Sequence, residues 1–395
     1  MTFGWMKKTS VLLALCMMLG CATGCNGNDE SSGETAEGTS ESADAETVEA
    51  EDIIKVGYIF NGEVDMGGYS TGANADRLAA SGYTDVESYY IDNVNISDFS
   101  AAVNKLVDEG CSYIVSGSWL YTNVLTDVAG KNMDVNFISY GARVRTVNVY
   151  AYTDHVYEGA YIAGMAAAYN TDTEKIGIVV DPSMIYTKPV VNAAALGSQL
   201  VYKDAEMITA FASKDNEIHS AVDALKAQGC DVIISYTESP ETVEYCESNG
   251  IKVIGNLDYS KNAADYENLL MYFYTDHDSL YLANFKSMQM DTWEPEEYVG
   301  NLANGVVSVS PALDCAKDGT QDIIDALIPK VTSGDAYIFS GEMKNTSGNI
   351  MIQQGGAFEP AEVYTMDWYV LGVKTLETFV EPKLDLEHNA LEIMQ

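Results

Sequence analysis

Two stretches of this chain superpose at a constant offset of 119 residues. Residues 102–119 read AVNKLVDEGCSYIVSGSW and residues 221–238 read AVDALKAQGCDVIISYTE. Each is an amphipathic segment, then a glycine, then a short apolar run. Val103, Leu106 and Val107 keep the i, i+3, i+4 spacing of one helix face. Gly110 and Gly229 stand where a helix asks for a left-handed C-terminal residue. Tyr113-Ile114-Val115 and Val232-Ile233-Ile234 are unbroken β-formers, as in strands covered on both faces of a parallel sheet. The chain therefore holds one α/β unit twice.

Two more pairs keep the same order. Residues 53–60 (IIKVGYIF) match residues 174–180 (EKIGIVV) through Gly57 and Gly177, and residues 135–140 match residues 251–255. Strands alternating with helices imply parallel sheets and right-handed crossovers. The expected fold is α/β, with two Rossmann-like lobes. Residues 53–155 plus 278–300 would form the first lobe, and residues 156–277 plus 301–380 the second. Rigid lobes would then turn about crossovers near residues 152–158, 272–277 and 293–301.

The ends of the chain read differently. Lys7-Lys8 precede a short apolar run, and two glycine–cysteine junctions follow at Cys21 and Cys25. About ten apolar residues are too few to span a bilayer but suit a secretory signal over residues 1–25. A cysteine at the cleavage point resembles the bacterial lipoprotein signal, with Cys25 the expected lipidation site and Cys21 the alternative. Residues 26–52 carry ten acidic residues, no basic one and no aromatic. Such a segment cannot offset its ordering entropy by burial, so it is read as a spacer between membrane and domain. Residues 381–395 form a tail.

Charge and cysteine usage exclude several functions. The net charge of −38, from 21 basic and 59 acidic residues, repels nucleic acid. It favours a soluble monomer. Cys111, Cys230, Cys246 and Cys315 form no C-x-x-C pair and read as small buried hydrophobes rather than metal ligands. Residues 68–72 fit G-x-S-x-G, but a nucleophile elbow needs its serine on a tight turn directly after a strand. Here about eight residues intervene, so no catalysis and no cofactor is expected.

In parallel sheets ligands sit beyond the carboxyl ends of the strands. The loops there are residues 61–70, 117–121, 181–186, 236–240 and 256–259. They are rich in aromatics, among them Tyr69, Trp119 and Tyr186. Tyr69 and Trp119 lie in neighbouring loops of one lobe, beside Gly67-Gly68, where backbone approaches a ligand closely. Two such rings can sandwich a flat heterocycle. Ser118, Thr237 and Glu238 share these loops. Asp258 follows the strand VIG and suits either two sugar hydroxyls or a turn.

The order KVGYIFNG…GGY, YEGAYIAGM (157–165), TESP (237–240), VIGNLD (253–258) and SGEMKNTSGNI (340–350) resembles the basic membrane protein family. These are the PnrA-like substrate-binding lipoproteins of ABC transporters. The resemblance covers about residues 53–376. It implies a type I periplasmic-binding fold with a three-crossover hinge and a small-molecule ligand in the cleft, most often a purine nucleoside. It also implies a permease as partner and a lipid-anchored place on the outer face of the cell membrane. By motif, Tyr69 falls where relatives set an aromatic ring against the base, and Trp119 falls at a second aromatic. Asn74 falls near a polar residue of the same helix, and Asp258 at the carboxylate that binds ribose. The loop VDMGGY replaces the commoner DKSFN, and residues 272–276 hold no lysine. Those departures leave nucleobase and riboflavin as alternative ligands, and a ligand-sensing receptor as the alternative role.

Overall fold

The computed structural model describes residues 3–4, 53–141, 146–334 and 337–382. Most of the expected signal segment, with Cys21 and Cys25, the acidic segment 26–52 and most of the tail lie outside the described residues.

Residues 53–382 build two parallel sheets. The first contains β1 (Lys55–Ile59), β2 (Glu87–Ile91), β3 (Tyr113–Ser116), β4 (Asn136–Tyr140) and β5 (Val149–Asp154). The second contains β6 (Lys175–Val180), β7 (Glu206–Phe211), β8 (Val232–Tyr236), β9 (Lys252–Gly255) and β10 (Leu269–Thr275). The chain then returns to the first sheet with β11 (Glu297–Gly300) and to the second with β12 (Val307–Val309). After the hairpin β13 (Met343–Lys344) and β14 (Ile350–Ile352), β15 (Val373–Thr375) closes the far edge of the second sheet beside β7. The strand orders are β2-β1-β3-β4-β5-β11 and β7-β6-β8-β9-β10-β12. Phe3–Gly4 adds an antiparallel pairing outside β2, and β12 runs antiparallel to β10. The duplicated unit read from the sequence is thus duplicated topology.

The repeat extends to its packing. A Cβ on Gly57 would come within 2.7 Å of Leu106 and 3.0 Å of Ile114; one on Gly177 would come within 2.5 Å of Ile233 and 3.0 Å of Leu225. Each glycine lets the leucine of its crossover helix, α2 (Phe99–Asp108) or α6 (Asp215–Ala227), sit directly on the sheet. Gly110 and Gly229 take φ of 88° and 92°, which L-residues adopt only at a cost. The last helical carbonyls are met by matching lysines. Lys55 Nζ donates to Glu109 O at 3.0 Å, and Lys175 Nζ donates to Gln228 O at 3.2 Å.

The YEGAYIAGM segment lies in α4 (Val156–Asn170), which is buried along nearly its whole length. A helix apolar all round belongs inside a domain. It crosses α5 (Thr187–Gln199) at backbone contact: a Cβ on Gly164 would lie 1.9 Å from Ala194 O, and one on Gly197 1.9 Å from Tyr161 O. These two glycines set how closely the helices approach.

The chain passes between the sheets at three places. They follow β5 at His155, precede α8 (Asp278–Gln289) at 276–277, and join β11 to β12 over 301–306. The third lies later than the sequence suggests. Trp293, expected to open it, is instead half-buried against the first lobe's core, edge-on to Tyr113 of β3, its indole N–H donating to Asn284 Oδ1 at 2.9 Å. The crossovers are tied together. His155 N donates to Gly300 O at 2.8 Å, Leu302 N to Glu158 Oε2 at 2.8 Å, and Asp276 N to Val306 O at 2.8 Å. His277 is fully buried, 3.5 Å from Asp154 and 3.8 Å from Asp76. Burial pushes its imidazole down, but the carboxylates of Asp154, Asp76 and Asp276 outweigh it and hold the group above its ordinary value.

Candidate functional site

The strand-end loops of the two sheets meet. The first lobe brings Asn61 after β1, Gly68-Tyr69 at the start of α1 (Tyr69–Gly82), Ser118-Trp119 after β3, and Tyr140 at the end of β4. The second brings Asp181 and Ser183 after β6, and Thr237-Glu238 after β8. Tyr69 N–H donates to Glu238 O at 2.9 Å, and the Trp119 indole N–H donates to Ser183 O at 2.6 Å. Gly68 lets this happen: a Cβ there would lie 2.0 Å from Glu238 O.

The rings continue behind this seam. Tyr69 stacks on Tyr140, with centroids 5.8 Å apart and planes inclined by 22°. Tyr140 in turn packs on Tyr152 and His277. Burial, with the charge of Asp154, holds Tyr140 and Tyr236 well above the usual phenol value; for Tyr69, burial, Tyr281 and then Asp154 do the same. All three are therefore neutral hydrogen-bonding rings at physiological pH.

Glu238 stands between the lobes. Burial, and next the Asp181 carboxylate, push it from 4.5 up to about 7, against a hydrogen bond from Asn61 Nδ2 at 3.5 Å. Burial likewise raises Asp181, although Ser183 N and Oγ donate to it at 2.8 and 2.6 Å. Asn256 fixes the neighbouring backbone. Its Oδ1 accepts from Thr237 N at 3.2 Å and its Nδ2 donates to Thr237 O at 2.9 Å.

The structure sorts the residues singled out from sequence. Gly68, Tyr69, Trp119 and Glu238 come together across the seam. Ser118 is buried and caps the turn holding Trp119, its Oγ accepting from Leu120 N at 3.4 Å. Thr237 is buried, its hydroxyl donating to Ser239 O at 2.7 Å, so it shapes the loop. Tyr186 takes a left-handed backbone, φ 56°, and stacks on Tyr364 at 4.7 Å. Asn74 gives its carbonyl to Arg77 Nε at 2.8 Å, and Arg77 lies over the rings of Tyr58 and Tyr90. Asp258 is exposed. Its oxygens accept from Ser260 N at 2.8 Å and Ser260 Oγ at 3.0 Å, the turn-forming arrangement of the two open from sequence. Tyr121, another strand-end aromatic, is core: it stacks on Phe99 at 4.5 Å. Ser70 of the G-x-S-x-G match sits in the first turn of α1, with its Oγ accepting from Gly62 N at 3.2 Å.

Sequence reasoning passed over Asn61, Tyr140, Asp181 and Asn256. Asn61 is the second residue after β1 and Asn256 the first after β9, in IFN and IGN. An amide just past the carboxyl end of a strand is the signal that would have found them.

The sequence model of the family described as ABC transporter substrate-binding protein, PnrA-like, matches residues 53–330. The chain belongs to this family. PnrA-like proteins are substrate-binding proteins of ABC transporters. A purine-binding protein of Brucella abortus is 25% identical over 332 residues, covering 82% of this chain and 94% of that protein. A protein of Haloferax volcanii named as an ABC transporter glucose-binding protein is 23% identical over 332 residues, covering 82% and 84%. Among solved structures, an ABC transporter solute-binding protein from Aeropyrum pernix K1 superposes with a TM-score of 0.63 at 15% identity. That match covers 74% of this chain and 93% of the other. The type I periplasmic-binding fold of the PnrA-like proteins is thus the fold observed here.

Proposed function

We propose that this PnrA-like protein binds a purine nucleoside, or a closely related flat heterocycle, between its lobes. It acts as an extracytoplasmic lipoprotein anchored through Cys25 or Cys21, and hands the ligand to an ABC permease. The observation that carries the ligand class is the seam itself. Tyr69 and Trp119 of one lobe meet the backbone carbonyls of Glu238 and Ser183 of the other, and the Glu238 side chain adds a carboxyl to the same loops. Rings that can stack on a base are each worth about 1–3 kcal/mol. Similarity to a purine-binding protein over nearly its full length supports the reading.

The test is calorimetry with adenosine, guanosine, inosine and adenine on the parent protein, Tyr69→Ala, Trp119→Ala and Asp258→Ala. Each ring variant is expected to weaken binding by about one to two powers of ten. Asp258→Ala tests the remaining sugar assignment. Loss confined to nucleosides places ribose at this carboxylate, whereas unchanged binding leaves Asp258 as a turn residue. A parent protein that binds none of the four overturns the reading.

A further inference from the structure

We propose that Glu238 reads the hydrogen-bonding edge of the base, and that its protonation selects between two classes of purine. The ionised carboxylate takes the paired N1–H and N2–H donors of a 2-amino-6-oxopurine. The protonated carboxyl donates to N1 and accepts from the amino group of a 6-aminopurine. This rests on the proposed purine ligand and adds its specificity.

Three observations converge on it. First, Glu238 is placed between the carboxyl ends of both sheets, reached by Asn61 after β1 and by Asp181 after β6. Second, toward the ionised carboxylate the Asn61 amide is directed: its Nδ2 donates to Glu238 Oε1 at 3.5 Å, and a flipped amide would set two oxygens against each other. Its Oδ1 is consequently turned elsewhere, buried and without a hydrogen-bond partner among the described residues. A buried acceptor of that kind calls for an N–H donor. Third, no protein cation faces Glu238 among the described groups that act on it. Those are Asp181, Asn61, Tyr69, Tyr121 and Tyr236, and the tyrosines stay neutral. The carboxyl is consequently held near about 7 by burial and Asp181. Both forms are populated at physiological pH, and each matches a different base edge. An ionised carboxylate has only acceptors, while a protonated one has a donor and an acceptor. A base removed from water is read by such edges, and a mismatch leaves a buried group unpaired.

The experiment is calorimetry with guanosine and adenosine from about pH 5.5 to about pH 8.5, on the parent, Glu238→Gln and Asp181→Asn. In the parent, the guanosine-to-adenosine affinity ratio is expected to rise about tenfold or more across the range. Glu238→Gln carries a donor and an acceptor permanently, so it is expected to keep adenosine binding and flatten the ratio. Every other titrating group remains in that variant. Asp181→Asn removes the charge opposing ionisation, so the rise is expected at lower pH. A flat ratio in a parent that binds both nucleosides overturns the proposal and leaves the purine reading intact. So does an equal pH dependence in Glu238→Gln. A parent that binds neither at any pH overturns both.

Discussion

Gly68→Ala separates closure of the cleft from stability of the lobes. Gly68 has φ −101° and ψ −160°, an extended backbone that alanine adopts freely, so the substitution adds no local strain. Its methyl carbon would lie 2.0 Å from Glu238 O and 3.1 Å from Glu238 C. Both are backbone atoms of the opposite lobe and cannot rotate aside. Ordinary contact requires the loops to part by at least about 1 Å. That displacement stretches the Tyr69 N–H to Glu238 O bond, now 2.9 Å, beyond hydrogen-bond range. Losing a buried bond of this kind costs about 1–3 kcal/mol. Because the loss falls on the closed state alone, ligand affinity is expected to drop about 5- to 150-fold. Calorimetry with the nucleoside that binds the parent reads the drop. Small-angle scattering is expected to show compaction on ligand addition in the parent and less in the variant. The thermal midpoint is expected to stay close to the parent's, since both lobe cores are untouched. A Gly68→Ala protein that binds with parental affinity refutes the reasoning.

Three further outcomes are expected. Glu238 is raised from 4.5 to about 7 in the folded protein, so the native state holds a proton that the unfolded chain has already lost between those values. Stability therefore falls as pH rises through that window, by up to about 3 kcal/mol for this group. Urea unfolding should find Glu238→Gln more stable than the parent near pH 8 and equal to it near pH 4; a gain of the same size at both would sink the assignment. Gly197→Ala sets a methyl 1.9 Å from Tyr161 O and is expected to cost about 1–3 kcal/mol by overpacking α4 against α5, read by denaturant unfolding. Replacing both Cys21 and Cys25 with serine is expected to release the protein from membranes, since stable anchoring takes two acyl chains or more. Continued membrane fractionation without the transporter would contradict the anchor.

The duplicated unit was legible because its signals are local. In each copy the helix spacing, the glycine (Gly110 or Gly229) and the apolar run around Ile114 or Ile233 sit within eighteen residues. The structure adds that Gly57 and Gly177 are the seats for Leu106 and Leu225. The strand-end rule pointed to loops that the structure brings together between the sheets, with Tyr69, Trp119 and Glu238 in them. What the loops do across the seam was not legible. Gly68 meets Glu238 some 170 residues away in sequence, and no local pattern announces such a contact. Tyr121 and Trp119 look alike in sequence, yet one stacks in the core on Phe99 and the other reaches Ser183. Asp258 had two readings because a carboxylate two residues before a serine serves a turn as readily as a sugar. The partner of Tyr186, Tyr364, comes from chain beyond residue 330, where the family match ends.

The most direct test of the central claim is mass spectrometry of the small molecule released when the natively purified protein is denatured. The account predicts a purine nucleoside, at close to one per chain, displaced beforehand by Gly68→Ala or Trp119→Ala. A ligand without a planar heterocycle, such as a hexose of the kind named for the Haloferax volcanii relative, would contradict it.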